Sequence, residues 1–588
     1  MFELEQKLIE DQICAYCVDS GLPMPKLQWS WIPFSGHWGI STSFFQLAAQ
    51  NAREKGTKTN VGESAQAIAS GAAAMLGIRE GFERVEAIRG YLNLYFSTAE
   101  YTRRVIDLVR TQGDQFGRGT RKAEQVMVEF SQPNTHKAFH VGHLRSAMLG
   151  DVLARILDAA GFDVIRANYP GDIGKHVIKW LWNYMKFHQG EKPEKDITRW
   201  MGDLYLEASK RLEANPELEA EVHDVYVRWD QRDPEVVNLW EETRQWSLDG
   251  FNEMYELLGI SFDKYYFQSE GEESGKQVVA DLIERGIAQD ERPDGAVIVK
   301  LDELLGEKKE KYRVLVVLRS DSTALYATED LALAIRKFTE NPRLTRSLYV
   351  VDVRQSLHFQ QVFKTLEIAG YSWATSCQHI PYELVTLPGN VAMASREGTV
   401  VLLEDLVREA TSRALAIVRT KNPELSSDQQ QAISQAVALG AIRYSMISRE
   451  STKVVTFDWE SALNFDGQAA PYIQYAYVRA GSILRKWGKE LPASWIPAYE
   501  LSPAEIQLVE LISRLPREIQ AAAAEYRPMT VSNLAYELAK AFSDFYNQCP
   551  VLQAEPPVRD GRLQLVAAAQ QTIGNALAVL GVIAPQAM

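Results

Sequence analysis

His140-Val141-Gly142-His143 holds the residues whose types and spacing first suggest chemistry. The string stands where a short apolar run, Val126 to Phe130, gives way to an amphipathic stretch that begins at Leu144. A helix starting there offers free N–H groups and the positive end of a dipole, and both suit phosphate. Two imidazoles three residues apart can face one ligand, and Gly142 between them leaves the backbone open to a flat base. Four of the nine histidines lie between His136 and His176. Taken alone, the string is a weak signal, and a capped helix with surface histidines is its competing reading. Zinc fits poorly, because no cysteine is near and the spacing is not the i, i+4 of helical metal pairs. A second candidate pair is Tyr326 and Asp330, four apart and so on one helical face. A carboxylate there can hold a guanidinium through two parallel hydrogen bonds, and the tyrosine can stack or donate. Capping by Asp330 is the plainer reading of that pair.

These residues need elements to position them. Val126 to Phe130 reads as a buried strand. Leu144, Met148, Val152 and Ile156 recur at i, i+4, with Leu149, Leu153 and Leu157 beside them, which predicts a helix stopped at Gly161. Asp163 to Tyr169 predicts a second strand. Strand, helix and strand form a βαβ unit, and a parallel sheet places the histidines at its carboxyl edge. Pro170-Gly171-Asp172 then marks a turn into another helix. Val314 to Leu318 and Leu348 to Val353 predict two more buried strands. The first leads into the helix with Tyr326 and Asp330, the second into one opened by Gln355 and His358.

The whole chain has 588 residues, room for three or four domains. It is 46% hydrophobic and 24% charged, an ordinary globular balance. A net charge of −14 argues against a general nucleic-acid coat, while a local basic surface stays compatible with it. Four cysteines suggest a reducing compartment, so a cytoplasmic location is expected. Cys14 and Cys17 have the spacing of half a metal site, but no second pair follows, and two small residues on a helix is the expectation. No apolar run approaches membrane-spanning length.

The longer string from Ser131 through Pro133, Asn134, Lys137 and His140 to Ser146 resembles the signature of class I aminoacyl-tRNA synthetases, in the form found in the arginyl enzymes. The resemblance runs over essentially the whole chain. It implies an α/β multidomain fold: a Rossmann-type parallel-sheet catalytic core over 116–420 with a helical insertion at about 185–260. An N-terminal α+β appended domain over 1–115 and a C-terminal all-α helix bundle over 421–588 complete it. It also implies ATP-dependent activation of L-arginine and transfer to the terminal ribose of tRNA(Arg), with Mg2+ accompanying ATP. A monomer is expected, and no residue is assigned to a resident metal.

Role by role, the resemblance places His140, His143, Lys137 and Arg396 in the catalytic step. Gly142, Gly171, Asp172, His358, Met393 and Ser395 fall to ATP. Ser131, Asn134, Tyr326, Asp330 and Gln355 fall to arginine. Two departures stand out. The mobile signature loop, Lys-Met-Ser-Lys-Ser in the class, is Ala392-Met393-Ala394-Ser395-Arg396 here, without either lysine. Lys137, three before His140, occupies the place from which a lysine is thought to compensate in arginyl enzymes. A cation from either loop can stabilise charge building on pyrophosphate. The family's glutamate before a serine is Gln268 here, and Glu270, after Ser269, is expected to supply the charge.

For tRNA, the resemblance points to Tyr91 and Asn93 in the N-terminal region, beside the hairpin expected at Gly90, where an aromatic and an amide suit a splayed base. Tyr475, Tyr546 and Met588 are the choices in the C-terminal helices, where aromatic and basic residues suit stacked bases. Packing within strands and helices is the competing reading for each tyrosine. Two other function classes stay open: a catalytically reduced tRNA-binding paralogue, and a nucleotidyltransferase acting on a small substrate.

Overall fold

The computed structural model describes residues 3–58, 60–388, 391–392, 402–491, 495 and 497–588. Met393, Ser395 and Arg396 lie outside the described residues. The chain divides into two compact units, each discontinuous in sequence. One comprises Met1–Phe116, Ala476–Leu515 and Glu537–Asn575; the other comprises Gly117–Tyr475, Pro516–Tyr536 and Ala576–Met588.

The first unit contains an antiparallel sheet of β1 (Ser30–Trp31), β2 (Gly39–Ser43), β3 (Phe82–Ile88) and β4 (Tyr91–Phe96), in the order β1-β2-β4-β3. β3 and β4 form a hairpin whose turn residues, Arg89 and Gly90, both have positive φ (51° and 84°). A two-residue turn of that hand matches the twist of the flanking strands.

The second unit is organised by β5 (Gln125–Glu129), whose five residues are all buried. β6 (Asp163–Asn168) and β7 (Lys264–Tyr265) extend the sheet on one side. β8 (Gln289–Asp290), β9 (Val297–Lys300) and β10 (Val314–Leu318) form a separate antiparallel sheet. β11 (Leu344–Asp352) and β12 (Cys377–Tyr382) return to the other side of β5, giving the order β12-β11-β5-β6-β7 with every pair parallel. Chain direction across the sheet therefore reverses between β5 and β11. At such a switch point the loops leaving the two strands diverge and open a crevice. The Val314–Leu318 expectation needs correction: Val314 and Val316 are 49% and 39% exposed, on a strand outside the parallel sheet. An unbroken apolar run of five does not by itself reveal which sheet it joins or whether one face is open.

The helix Val141–Ala159 packs on this sheet with Leu144, Val152, Leu153, Ile156 and Leu157 fully buried, each worth about 2 kcal/mol relative to exposure. It lies so close to Phe130 that a Cβ at Gly150 would stand 2.2 Å from that ring's stem. The helix ends at Gly161, whose φ of +100° suits glycine. After β6 come four helices, Lys175–Phe187, Ile197–Ala214, Glu219–Asp230 and Pro234–Leu258, the last three within the stretch 185–260. Trp180, Trp200, Trp240 and Trp246 share their core, with Trp200 edge-on to Trp180 and Trp246 at 5.9 Å each. Those tryptophans are packing anchors. β13 (Val385–Leu387) pairs with β14 (Val391–Ala392) and β15 (Val455–Thr456). Helices Leu403–Lys421, Ser427–Ile447, Ala470–Trp487, Pro503–Glu525, Pro528–Gln548 and Pro556–Val579 dominate the remainder. Among the described residues no helix is long and apolar enough to cross a membrane.

Candidate active site

β5 leaves the sheet through a tight, strained turn. Ser131, Gln132 and His136 all have positive φ (78°, 43° and 58°), unusual for residues with a Cβ and costing roughly 1 kcal/mol or more each. Buried hydrogen bonds hold the turn. The Ser131 N–H donates to Ser146 Oγ at 3.0 Å, and Gln132 N–H donates to Asn168 Oδ1 at 3.2 Å. Ser131 Oγ lies 2.7 Å from the Tyr255 hydroxyl, which also accepts from Asn168 Nδ2. The His136 ring spans Thr135 and Thr243, at 2.9 Å from each hydroxyl. Ser131 is 3% exposed, and its contact with Tyr255 helps hold the loop in place.

His140 caps the helix Val141–Ala159. Its backbone is extended (φ −113°, ψ 169°), and its Nδ1 accepts from the Gly142 N–H at 3.1 Å. His143 reaches back, its Nδ1 accepting from the His140 N–H at 3.4 Å. The two rings stack, 3.9 Å between centroids and 13° between planes. Because each Nδ1 is an acceptor, each neutral ring carries its proton on Nε2. The result is two stacked Nε2–H donors at the positive end of a helix. Burial pushes the His143 pKa well below its ordinary value, with His140 and the Lys137 ammonium adding to the shift. Burial lowers His140 as well, against its backbone hydrogen bond and with Lys137 assisting. Neutral rings can stack at this distance without repelling. The Lys137 ammonium also lies 4.9 Å from the Tyr205 ring centroid. The space at Gly142 is taken by His140: a Cβ there would meet the ring at 2.9 Å.

The turn after β6 joins this loop. Asn134 and Gly171 pair as a parallel bridge, and the Gly171 N–H donates to the Pro133 carbonyl. A Cβ at Gly171 would lie 2.5 Å from Asn134 Oδ1 and 3.3 Å from Gln268 Oε1. Asp172 is wholly buried. It accepts from the Ser269 N–H at 2.9 Å and the Ser269 hydroxyl at 2.7 Å, and pairs with Arg244 at 3.1 Å. With both oxygens occupied, Asp172 ties three segments together. Those contacts fix the turn on which the expected ATP contact depends.

The helix Tyr326–Glu340 opens with Tyr326, 72% exposed, and places Asp330 one turn on. His358 Nε2 lies 2.6 Å from Asp330 Oδ2, so the histidine expected near ATP meets the carboxylate expected to read arginine. Gln355 is exposed immediately before the helix Ser356–Ile368, at the carboxyl end of β11. Glu270 turns away: it forms an ion pair with Arg336 at 2.6 Å on an exposed surface. The carboxylate that Gln268 meets is Glu329, its Nε2 donating to Oε2 at 2.9 Å. Sequence reading missed Glu329, although it adjoins Asp330 and lies three residues after Tyr326. The segment expected to hold Met393, Ser395 and Arg396 begins after β14, and Leu402 at its far end pairs with His140 through the backbone.

The residues expected at tRNA fall in both units. Tyr91 is 45% exposed with Phe45 edge-on at 5.5 Å, and Asn93 Oδ1 accepts from the Ser41 hydroxyl at 2.6 Å. Tyr546 is 43% exposed beneath the Arg479 guanidinium, 4.9 Å from its ring centroid. In the second unit, Lys421 Nζ lies 5.6 Å from the Tyr475 ring, and Met588 is half-buried.

A parallel sheet with a phosphate-type helix start at its switch point, and a carboxylate–histidine pair whose histidine is on the helix that follows the neighbouring β11, has the form of a Rossmann-type nucleotide-binding enzyme. Residues 105–459 match the family described as tRNA synthetases class I (R), catalytic domain, and residues 473–588 match the DALR anticodon binding domain. The arginine–tRNA ligase of Clostridium perfringens is 35% identical over 509 residues, 86% of this chain and 88% of that protein. That of Bdellovibrio bacteriovorus is 35% identical over 512 residues, 85% and 86%. Among solved structures, Thermus thermophilus arginyl-tRNA synthetase superposes with a TM-score of 0.76 at 27% identity, covering 99% of this chain and 100% of that one. The chain belongs to the arginyl-tRNA synthetase family.

Proposed function

We propose that the stacked histidine pair and the carboxylate helix facing it carry out both steps of arginine–tRNA ligation. The chain is a ligase that uses ATP. In the first step an arginine carboxylate oxygen attacks the α-phosphorus of ATP. The bond to the β-phosphate breaks, giving arginyl-adenylate and pyrophosphate. In the second step a terminal ribose hydroxyl of tRNA attacks the activated carbonyl, AMP leaves, and an arginyl ester forms. The attacking carboxylate is already ionised at neutral pH, so the first step needs no general base.

The observation that carries this reading is the pair of Nε2–H donors fixed by reciprocal capping at the helix start. They are preorganised toward charge that grows on the phosphates, and Lys137 adds a cation beside them. Arg396 is proposed to add a second. Asn134, Tyr326, Asp330 and Gln355 hold arginine; Gly142, Gly171 and His358 border the nucleotide. Mg2+ enters bound to ATP, as part of the substrate, because it is held by phosphate oxygens and water more than by dedicated protein cages. Tyr91, Asn93, Tyr475, Tyr546 and Met588 are proposed to meet tRNA(Arg). We also propose that the chain works as a cytoplasmic monomer. All four cysteines are free, as suits a reducing compartment.

Charging unfractionated tRNA with each of the twenty labelled amino acids tests the reading. Arginine alone should be incorporated. Incorporation of another amino acid, or ATP turnover indifferent to arginine, would refute it.

A further inference from the structure

The arginine pocket is short of one carboxylate at residue 268, and the structure offers another. Gln268 is uncharged. Its Oε1 faces the point above Gly171 on which Asn134 Oδ1 also converges, and its Nε2 donates to Glu329. Asn134, Gln268 and Glu329 thus form a continuous polar row from the crossover loop to the helix bearing Tyr326 and Asp330. Glu329 is 5% exposed, and among the described residues no cation pairs with it. Every neighbouring acid is better served. Asp330 on the same helix has His358, Asp172 beyond the Gly171 turn has Arg244, and Glu272 on the helix Glu272–Glu284 has Lys276. Tyr169, at the end of β6, adds no positive charge. A buried carboxylate without a counter-charge is costly, and a cation arriving from solvent relieves that cost.

We propose that Glu329, oriented by Gln268, is a specificity-determining residue that contacts the substrate guanidinium alongside Asp330. This rests on the reading of the chain as arginine-activating. A guanidinium has five N–H donors in a planar fork, enough for Asp330 on one edge and Glu329 on another. A citrulline urea has a similar shape but lacks the charge. Burial, with Asp330, Glu272 and Asp172 adding negative charge, pushes the Glu329 pKa up to about 8 in the free protein. The carboxyl is therefore mostly protonated at pH 7, and a guanidinium beside it lowers its pKa again. Arginine binding at pH 7 releases a proton, and arginine affinity rises with pH until it passes 8.

The test uses the full chain with tRNA present, as wild type, Glu329→Gln, and the double variant Glu329→Gln with Gln268→Glu. The readouts are arginine and ATP KM in pyrophosphate exchange, and proton release on arginine binding by titration calorimetry in buffers of different ionisation enthalpy. The single variant should raise the arginine KM about ten- to a hundredfold, as loss of a charged hydrogen bond does, and leave the ATP KM within about twofold. Proton release should vanish. The double variant, with the carboxylate moved to position 268, should recover most of the arginine affinity. An unchanged arginine KM, an equal rise for ATP, or undiminished proton release would each overturn the proposal. A double variant no better than the single one would do the same, because the row then only packs. Absence of exchange in the wild type would sink the arginine-activating reading itself, and this proposal with it.

Discussion

Gly142→Ala separates folding from chemistry at the histidine pair. A methyl group at 142 would stand 2.9 Å from His140 Cε1 and 3.0 Å from Nδ1, where ordinary contact begins at 3.4 Å. The ring must therefore retreat by about 0.5 Å, breaking its acceptor contact with the residue 142 N–H and disturbing the stack on His143. Loss of that neutral cap costs about 1 kcal/mol. Replacing glycine by alanine within a helix returns up to about 1 kcal/mol. Stability should accordingly stay within about 1 kcal/mol of wild type. The chemical step is less forgiving: a 1 Å displacement costs on the order of a hundredfold, so a half-ångström shift of one donor costs about tenfold. If His143 follows its stacked partner, the loss approaches a hundredfold. The assay is single-turnover adenylate formation with saturating arginine, ATP and tRNA, alongside thermal melting. A melting temperature near wild type with a ten- to hundredfold slower rate is expected. A wild-type rate would refute the claim that the capped ring geometry drives the chemistry.

His143→Ala removes one donor outright and should slow adenylation about a hundredfold, measured by kcat in pyrophosphate exchange; a near-normal kcat would remove it from phosphate stabilisation. Lys137→Ala should be at least as severe, since the class's loop lysines are absent, and Lys137→Arg should recover part of the loss; a mild effect would end the compensation idea. Asp330→Asn should raise the arginine KM far more than the ATP KM, and equal changes would place Asp330 outside the pocket. Acid stability tests the buried histidines. Burial holds His136 well below its ordinary range and lowers His176 to about 4, with Lys137 assisting at His176. Between about pH 6.5 and 4 the unfolded chain accepts protons that the folded chain refuses, so stability is full above that window and falls as pH drops through it. His176→Gln should flatten the acid limb by up to about 1.4 kcal/mol per pH unit in denaturant titrations, and an unchanged slope would contradict the assignment.

Much of the site was legible because its chemistry is local. His140, Gly142 and His143 interact within four residues, and helical spacing alone puts Tyr326 and Asp330 on one face. The crossover was legible too, since periodicity marks the helix Val141–Ala159 and glycine marks its end. What escaped were partners chosen across the fold. Gln268 and Glu329 are 61 residues apart, and no spacing rule links them. Glu270, nearer in sequence to the missing charge, is drawn to Arg336 instead. Ser131 and Asp172 read as candidates because they are polar and sit in turns; that both are buried, and that they bond to Tyr255 and to Ser269 and Arg244, only tertiary contacts reveal. Val314 to Leu318 looked like core because apolar content was read without knowing which face the neighbouring sheet would cover.

Arginine-dependent pyrophosphate exchange into ATP, measured with and without unfractionated tRNA, tests the central claim most directly. Exchange should require arginine and ATP together and should appear when tRNA is added. Exchange without tRNA would keep arginine activation and show that the altered loop works without that trigger. No exchange under either condition, with tRNA still bound, would contradict the account and leave a tRNA-binding scaffold.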